Sequence, residues 1–191
     1  MKQIPNALQM SHKFLLEAVG FGDKVIDGTM GNGNDTLFLA KLVGKNGKVY
    51  SFDIQKQAVK KTTELLLKNH ISLENVNLIN EIHDKINEFL PTNENISAAI
   101  FNLGYLPGGD KAIITKPKST IPAITSCIEH LIVHGIILVV LYYGHPGGEE
   151  EKDKVLGFAE NLDQRIFNVF TYSAINEINE PPILLIIQKR K

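Results

Sequence analysis

The 191-residue chain has one cysteine, Cys127, which excludes a disulfide framework. Neither sign of charge dominates: 20 Lys and Arg stand against 21 Asp and Glu, for a formal net charge of −1. A globally basic nucleic-acid binder is thereby excluded, while a local basic patch stays open. Long apolar runs are also missing. The longest, Ile136–Tyr143, falls far short of the roughly 20 residues of a membrane helix. The opening stretch MKQIPNALQMSHKF holds neither the apolar core nor the small-residue cleavage site of an export signal. A cytoplasmic protein without membrane contact is expected. No internal repeat or low-complexity segment occurs, and no His/Cys/Asp spacing suits a metal. Cys127 lies in a patterned apolar segment and reads as a small buried hydrophobe.

What is present is an ordinary globular composition, 43% hydrophobic and 21% charged, which rules out a disordered chain. One domain spanning 1–191 is expected, with a capping helix region at 1–22. Runs of strand length alternate with helix-length periodic segments. Lys24–Asp27, Lys48–Asp53, Val76–Asn80, Ser97–Phe101 and Gly135–Tyr143 read as buried strands. Ala7–Val19, Asp35–Val43, Gln55–Asn69, His83–Leu90, Ser119–Val133 and Glu149–Asn161 read as helices. Such alternation predicts βαβ units and a parallel sheet with helices on both faces. The C-terminal part breaks the pattern. Arg165–Tyr172 and Pro182–Lys189 both read as strands, and the segment between them is too short for a crossover helix. The expected architecture is therefore α/β and Rossmann-like. About seven strands form a mostly parallel sheet whose last strand is antiparallel.

The most informative stretch is Val25-Ile-Asp-Gly-Thr-Met-Gly-Asn-Gly-Asn-Asp-Thr36. A buried strand ends in Asp27, glycines follow at 28, 31 and 33, and a helix starts near Asp35. Glycines there permit a tight turn and a close backbone approach to a ligand, which the free N–H groups of the helix start would face. Twenty residues beyond Gly33 the next strand ends in Asp53, placed to accept both hydroxyls of a ribose. A nucleoside-containing cofactor is expected. Thr36 stands where a dinucleotide fingerprint has its third glycine, and Asp27 would repel a pyrophosphate but suit the ammonium of a methionine moiety. S-adenosylmethionine therefore fits better than NAD.

IDGTMGNGNDT, together with SFDIQ, EIHD, FNLGYLPGGDK and YYGHPGGEEE, resembles the class I methyltransferases grouped as rRNA methylases. Within them it is most similar to the MnmM (YtqB-type) tRNA methyltransferases. The resemblance covers nearly the whole chain. It implies S-adenosylmethionine-dependent methylation of the 5-aminomethyl group of (2-thio)uridine at the tRNA wobble position, with the anticodon stem-loop as partner. It also implies that Met30, Gly31, Asn32, Gly33, Asn34, Asp35, Thr36, Asp53, Gln55 and His83 line the cofactor.

Asn102-Leu-Gly-Tyr105 follows the fourth strand and has the layout of the Asn-Pro-Pro-Tyr motif of amino-group methyltransferases, with both prolines replaced. The Asn102 side-chain oxygen and the Leu103 carbonyl can accept two amine hydrogens and aim the lone pair, while Tyr105 can stack on the base. An ammonium must first lose its proton, to water or to a base such as His145 or His83. His145 opens a loop after the fifth strand that reads equally as substrate contact or as plain structure. Lys111, Lys116 and Lys118 form a candidate phosphate patch for RNA, and read equally as a solvated run. Pairing two chains in a homodimer would enlarge that patch. The rival functions are methylation of another RNA base, a non-catalytic RNA- or cofactor-binding module, and an NAD-linked enzyme.

Overall fold

A strand covered on both faces is apolar at every position, and the buried stretches Ala98–Phe101 and Ile136–Leu141 show that pattern. The structure, a computed structural model, describes residues 3–110 and 112–191. Lys111, one of the three lysines of the expected phosphate patch, lies outside the described residues. The strands are β1 (Lys24–Asp27), β2 (Lys48–Phe52), β3 (Val76–Ile79), β4 (Ile96–Leu103), β5 (Leu131–Leu141), β6 (Phe167–Tyr172) and β7 (Ile183–Lys189). They form one sheet in the order β3-β2-β1-β4-β5-β7-β6. Pairs among β1 to β5 are parallel, and β7 runs antiparallel between β5 and β6. The expected mixed sheet, with its last strand reversed, is the one observed.

Helices α1 (Ala7–Ala18), α2 (Asn34–Val43) and α3 (Lys56–Lys68) cover one face, and α4 (Ile86–Phe89), α5 (Pro117–His130) and α6 (Gly148–Glu160) the other. Alternation along β5 divides the core between them. Ile136, Leu138 and Val140 pack with Leu15 and Leu39, while Ile137, Val139 and Leu141 pack with Ile124 and Val155. Cys127 belongs to the second cluster, fully buried, and burial pushes its thiol pKa up. Asn6 and Gln9 form a capping box that starts α1: each side chain accepts the other's backbone N–H, at 2.9 and 3.2 Å. The Tyr172 hydroxyl donates to the Pro5 carbonyl at 2.6 Å, tying β6 to the segment before α1.

Most boundaries shift by a residue or two, the expected helix His83–Leu90 is a 3-10 turn at His83–Lys85 followed by the short α4, and two differences bear on the core and the site. The helix expected to reach Val133 ends at His130, and β5 already begins at Leu131. Ile132 and Val133 are exposed, so their apolar spacing carried no information on burial. His134 takes a positive φ of 67°, and the β4–β5 register shifts between Ile96 and Ala98, which together form an irregular start to the strand. β4, for its part, extends to Leu103. Asn102 therefore sits inside the sheet rather than in the loop behind it. Strand order reverses at β1 and β4, and the crevice at the carboxyl ends of such strands is where open α/β sheets bind ligands.

Candidate active site

The loop between β1 and α2 is shaped by its protein neighbours. A Cβ at Gly28 would lie 2.0 Å from the Phe101 ring, and one at Gly33 2.9 Å from the Thr62 Cα in a backbone with φ 84°. Glycine is required at both positions by packing alone, ahead of any ligand. Gly31, φ 54°, is the one whose missing side chain borders the cleft.

Asp27, expected to face a ligand ammonium, has no exposed surface. Its carboxylate accepts the Thr29 N–H at 3.1 Å and the Thr36 hydroxyl at 2.6 Å. Thr36, equally buried and 2.6 Å from the Ser51 hydroxyl, is likewise beneath the loop. These two residues brace the loop from below, because a carboxylate at the last residue of a central strand meets the following turn's N–H groups before it meets solvent. Burial, reinforced by the Asp35 charge, raises the Asp27 pKa from 3.8 to about 7. The folded state thus holds this proton to higher pH than the unfolded chain does. The associated stability is present at low pH and is lost as pH rises from 3.8 towards about 7. Its size is on the order of a few kcal/mol. Asp27→Asn is expected to flatten the fall in Tm between about pH 5 and 8, measured by thermal denaturation. Parallel curves for the two proteins would remove Asp27 as the source.

Above the loop lie two adjoining cavities, of about 150 and 510 Å3, which share Thr29, Gly31, Asn102, Gly104, Tyr105 and Pro107. Asp53, Gln55 and His83 line the smaller. Asp53 accepts the Gly31 N–H at 2.9 Å through one oxygen and the Gln55 N–H at 2.8 Å through the other. A carboxylate has about four acceptor sites, so two remain for a ligand. His83 Nδ1–H donates to the Gly28 carbonyl at 3.0 Å, and its ring stands edge-on to Phe101. Burial lowers its pKa, so the ring is neutral, and Nε2 is a buried acceptor with no partner among the described residues. Phe52, Ile54, Ile82 and Leu106 complete an apolar wall. Two acceptors in an apolar slot beside open glycine backbone fit an adenosine with its ribose hydroxyls and exocyclic amine.

The larger cavity is lined by Met30, Asn32, Asn34, Asp35, Asn102, Leu103, Tyr105 and His145. Asn32 bridges the loop to its surroundings: its amide donates to the Pro107 carbonyl at 3.3 Å and accepts from Lys61 at 3.2 Å. Asn102 is fixed at both ends. Its backbone N–H donates to the Thr29 hydroxyl at 2.7 Å, and its side-chain Nδ2 donates to Asp35 at 2.5 Å. The amide oxygen is the atom left for a ligand. The Leu103 carbonyl, expected as a second acceptor, already receives the Tyr142 N–H at 3.2 Å and keeps one lone pair. Tyr105 meets His145 edge-to-face at 5.7 Å. His145 Nδ1 bonds the Pro146 carbonyl at 3.2 Å, while its Nε2 is buried and unpartnered among the described residues. His145 thus borders the larger cavity, whereas His83 borders the smaller.

Several residues here escaped the sequence reading. Tyr142 and Tyr143 follow β5 at its carboxyl end, a position the strand rule alone would have flagged. Leu8, Glu180 and Pro182 arrive from the two ends of the chain with no local signal. Glu151, only 2% exposed on α6, accepts from the hydroxyls of Thr115 at 2.5 Å and Thr120 at 2.6 Å, and Thr115 in turn accepts the Gly104 N–H at 2.8 Å. α6 thereby holds the turn after Asn102. Lys116 and Lys118 are exposed around the start of α5, in a groove shared with Lys154. Among the described residues no group of His, Cys, Asp and Glu is arranged to hold a metal, and no helix is long and apolar enough to cross a membrane.

The family model described as "Putative rRNA methylase" matches residues 49–188. A "tRNA (mnm(5)s(2)U34)-methyltransferase, chloroplastic" of Arabidopsis thaliana is 38% identical over 192 aligned positions, covering 97% of this chain and 70% of that relative. The crystal structure of a "putative rRNA-methylase" from Clostridium thermocellum superposes with a TM-score of 0.95 at 45% identity, over 98% of this chain and all of the other. A "putative methyltransferase" from Streptococcus mutans, in complex with SAH, gives 0.89 at 45% identity, over 98% and 99%. Fold, cleft and relatives together define a Rossmann-like, S-adenosylmethionine-dependent methyltransferase. The chain belongs to the rRNA methylase family whose model it matches.

Proposed function

We propose that the chain methylates an amine on tRNA, the 5-aminomethyl group of (2-thio)uridine at the wobble position. One observation carries this beyond the Arabidopsis relative's name: Asp35 takes the nitrogen end of the Asn102 amide, leaving the oxygen end to the cavity. An acceptor there suits a substrate nitrogen that carries hydrogens and must point its lone pair at the methyl donor. S-adenosylmethionine, when bound, supplies the electrophilic methyl on a sulfonium. Met30 to Asp35, Asp53, Gln55 and His83 are proposed to hold it, with Asp27 and Thr36 bracing the loop from below. Asn102 orients the amine, Tyr105 stacks on the base, and His145 Nε2 is placed to accept the proton of an incoming ammonium. The apolar, half-enclosed walls exclude water from the transfer. The wobble base lies in a loop, so extruding it costs less than flipping from a duplex, and an isolated anticodon stem-loop is proposed to suffice.

The test is tRNA carrying the 5-aminomethyl group against matched tRNA with plain uridine or 2-thiouridine, read by nucleoside mass spectrometry. The first should gain one methyl on the exocyclic nitrogen and the others none. Methylation of the unmodified base, or of rRNA instead, would sink the amine proposal.

Exposed Lys116 and Lys118 are proposed to contact RNA phosphates. Changing both to Ala should raise KM for tRNA and reduce the salt slope by about two counterions at most. A wild-type slope would place the RNA elsewhere. A second copy of the chain would extend this positive field, and a homodimer acting in the cytoplasm is proposed on that ground. A monomer mass by light scattering would count against it.

A further inference from the structure

α1 does more than cover the sheet. His12, near its middle, lies flat against Phe38 of α2, with ring centroids 4.2 Å apart and planes 11° from parallel. Its Nε2 is 2.6 Å from one oxygen of Asp35, whose other oxygen is 2.5 Å from Asn102 Nδ2. Three elements far apart in sequence, α1, α2 and β4, thus meet in one chain of hydrogen bonds that ends in the larger cavity. We propose that His12 is a positioning residue of methyl transfer: by donating Nε2–H to Asp35 it holds that carboxylate as an acceptor, so that Asn102 can present only its amide oxygen to the substrate amine. The inference rests on the amine-methylation proposal above and adds the group that sets its polarity.

The chemistry follows from counting donors and acceptors. An amide can face a carboxylate only through its NH2 end. Were Asp35 to carry a proton, it could donate to the Asn102 oxygen, and the amide would turn and offer N–H groups to the amine. Those N–H groups could bond the neutral amine only at its lone pair, masking the nucleophile instead of aiming it. Asp35 is only 7% exposed, so the hydrogen bonds from His12 and Asn102 are what fix the orientation of its carboxylate. Tyr142 flanks the same cavity and feels the Asp35 charge. An N–H from His12, neutral or charged, meets the carboxylate oxygen that Asn102 leaves open. The stack on Phe38 fixes the ring plane, and the α1 capping box secures the start of the helix that carries it.

Two substitutions separate the N–H from the ring. His12→Phe keeps a flat ring against Phe38 and removes the donor. His12→Gln loses the ring but can return an amide N–H near the Nε2 position. With aminomethylated tRNA, His12→Phe should lower kcat about tenfold or more, with the Kd for S-adenosylmethionine and the KM for tRNA within about twofold of wild type. His12→Gln should recover most of the loss. A wild-type kcat in His12→Phe, or equal impairment in both variants, would overturn the proposal. Nitrogen NMR of the His12 ring in the substrate-free wild-type protein is a second reading. Nε2 should be protonated and hydrogen-bonded, and an Nδ1–H tautomer with bare Nε2 would overturn the proposal whether or not the variants fold. Because that spectrum needs no RNA, a wrong substrate is distinguishable: wild type would then fail to methylate the amine while the His12 signature stands.

Discussion

Asn102→Ala is expected to lower kcat by about 100-fold, the scale of loss when a reacting group is misplaced by about 1 Å. The Kd for S-adenosylmethionine should change little. The residue sits within β4, bonded through its backbone to Thr29 and through its side chain to Asp35, so its oxygen occupies a fixed point in the lining that the two cavities share. Removing the side chain leaves the strand ladder intact and takes away one acceptor. It also leaves the Asp35 oxygen that Nδ2 had satisfied. Asn102→Asp keeps the shape and reverses the chemistry, since two carboxylates would then face each other. It should be at least as damaging, and its activity should improve as pH falls and one of the pair takes a proton. Single-turnover kinetics alongside calorimetry separate the two effects. A large rise in Kd with little change in the chemical step would show that Asn102 belongs to the cofactor instead.

Asp53→Ala should act on the other cavity, raising the Kd for S-adenosylmethionine by about 10-fold or more, with hydrogen bonds to charged groups worth about 1.5–3 kcal/mol. Two losses combine. The open lone pairs proposed for the ribose disappear, and so do the acceptors of Gly31 N–H and Gln55 N–H, which join the glycine loop to the start of α3. Asp53→Asn keeps one acceptor and should fall between the two. Calorimetry decides the matter, and unchanged affinity in Asp53→Ala would remove the residue from the site. Burial raises the Asp53 pKa above the usual carboxylate value, against the lowering from those two N–H groups. The acid loss of cofactor affinity should therefore begin at higher pH than for an exposed aspartate, and Asp53→Asn should abolish that part of the profile.

Much of this molecule was legible in one dimension, for reasons of local chemistry. A covered strand must be apolar throughout, so Gly135–Tyr143 announced a central strand. A turn with glycines between such a strand and an amphipathic helix announced the loop that borders the cleft. The short, polar link before Pro182 announced an antiparallel pair. Each of these signals lies within a few residues of its cause. The end of α5 was missed because Ile132 and Val133 are apolar yet exposed, and periodicity reads chemistry rather than burial.

By itself, then, the sequence determined the alternation of strands and helices, the place of the glycine loop, and the acceptors Asp53 and Asn102 at strand ends. It could not determine which of the two acids flanking one loop borders the cavity. Asp27 and Asp35 are eight residues apart, and only folding puts the first beneath the loop under Thr29 and Thr36 and the second between His12 and Asn102. Nor could it show that Glu151 on α6 steadies the turn after Asn102, or that α1 reaches the site at all. A hydrogen bond depends on distance and direction between groups that the chain separates by tens of residues, and those are fixed only when the helices dock on the two faces of the sheet.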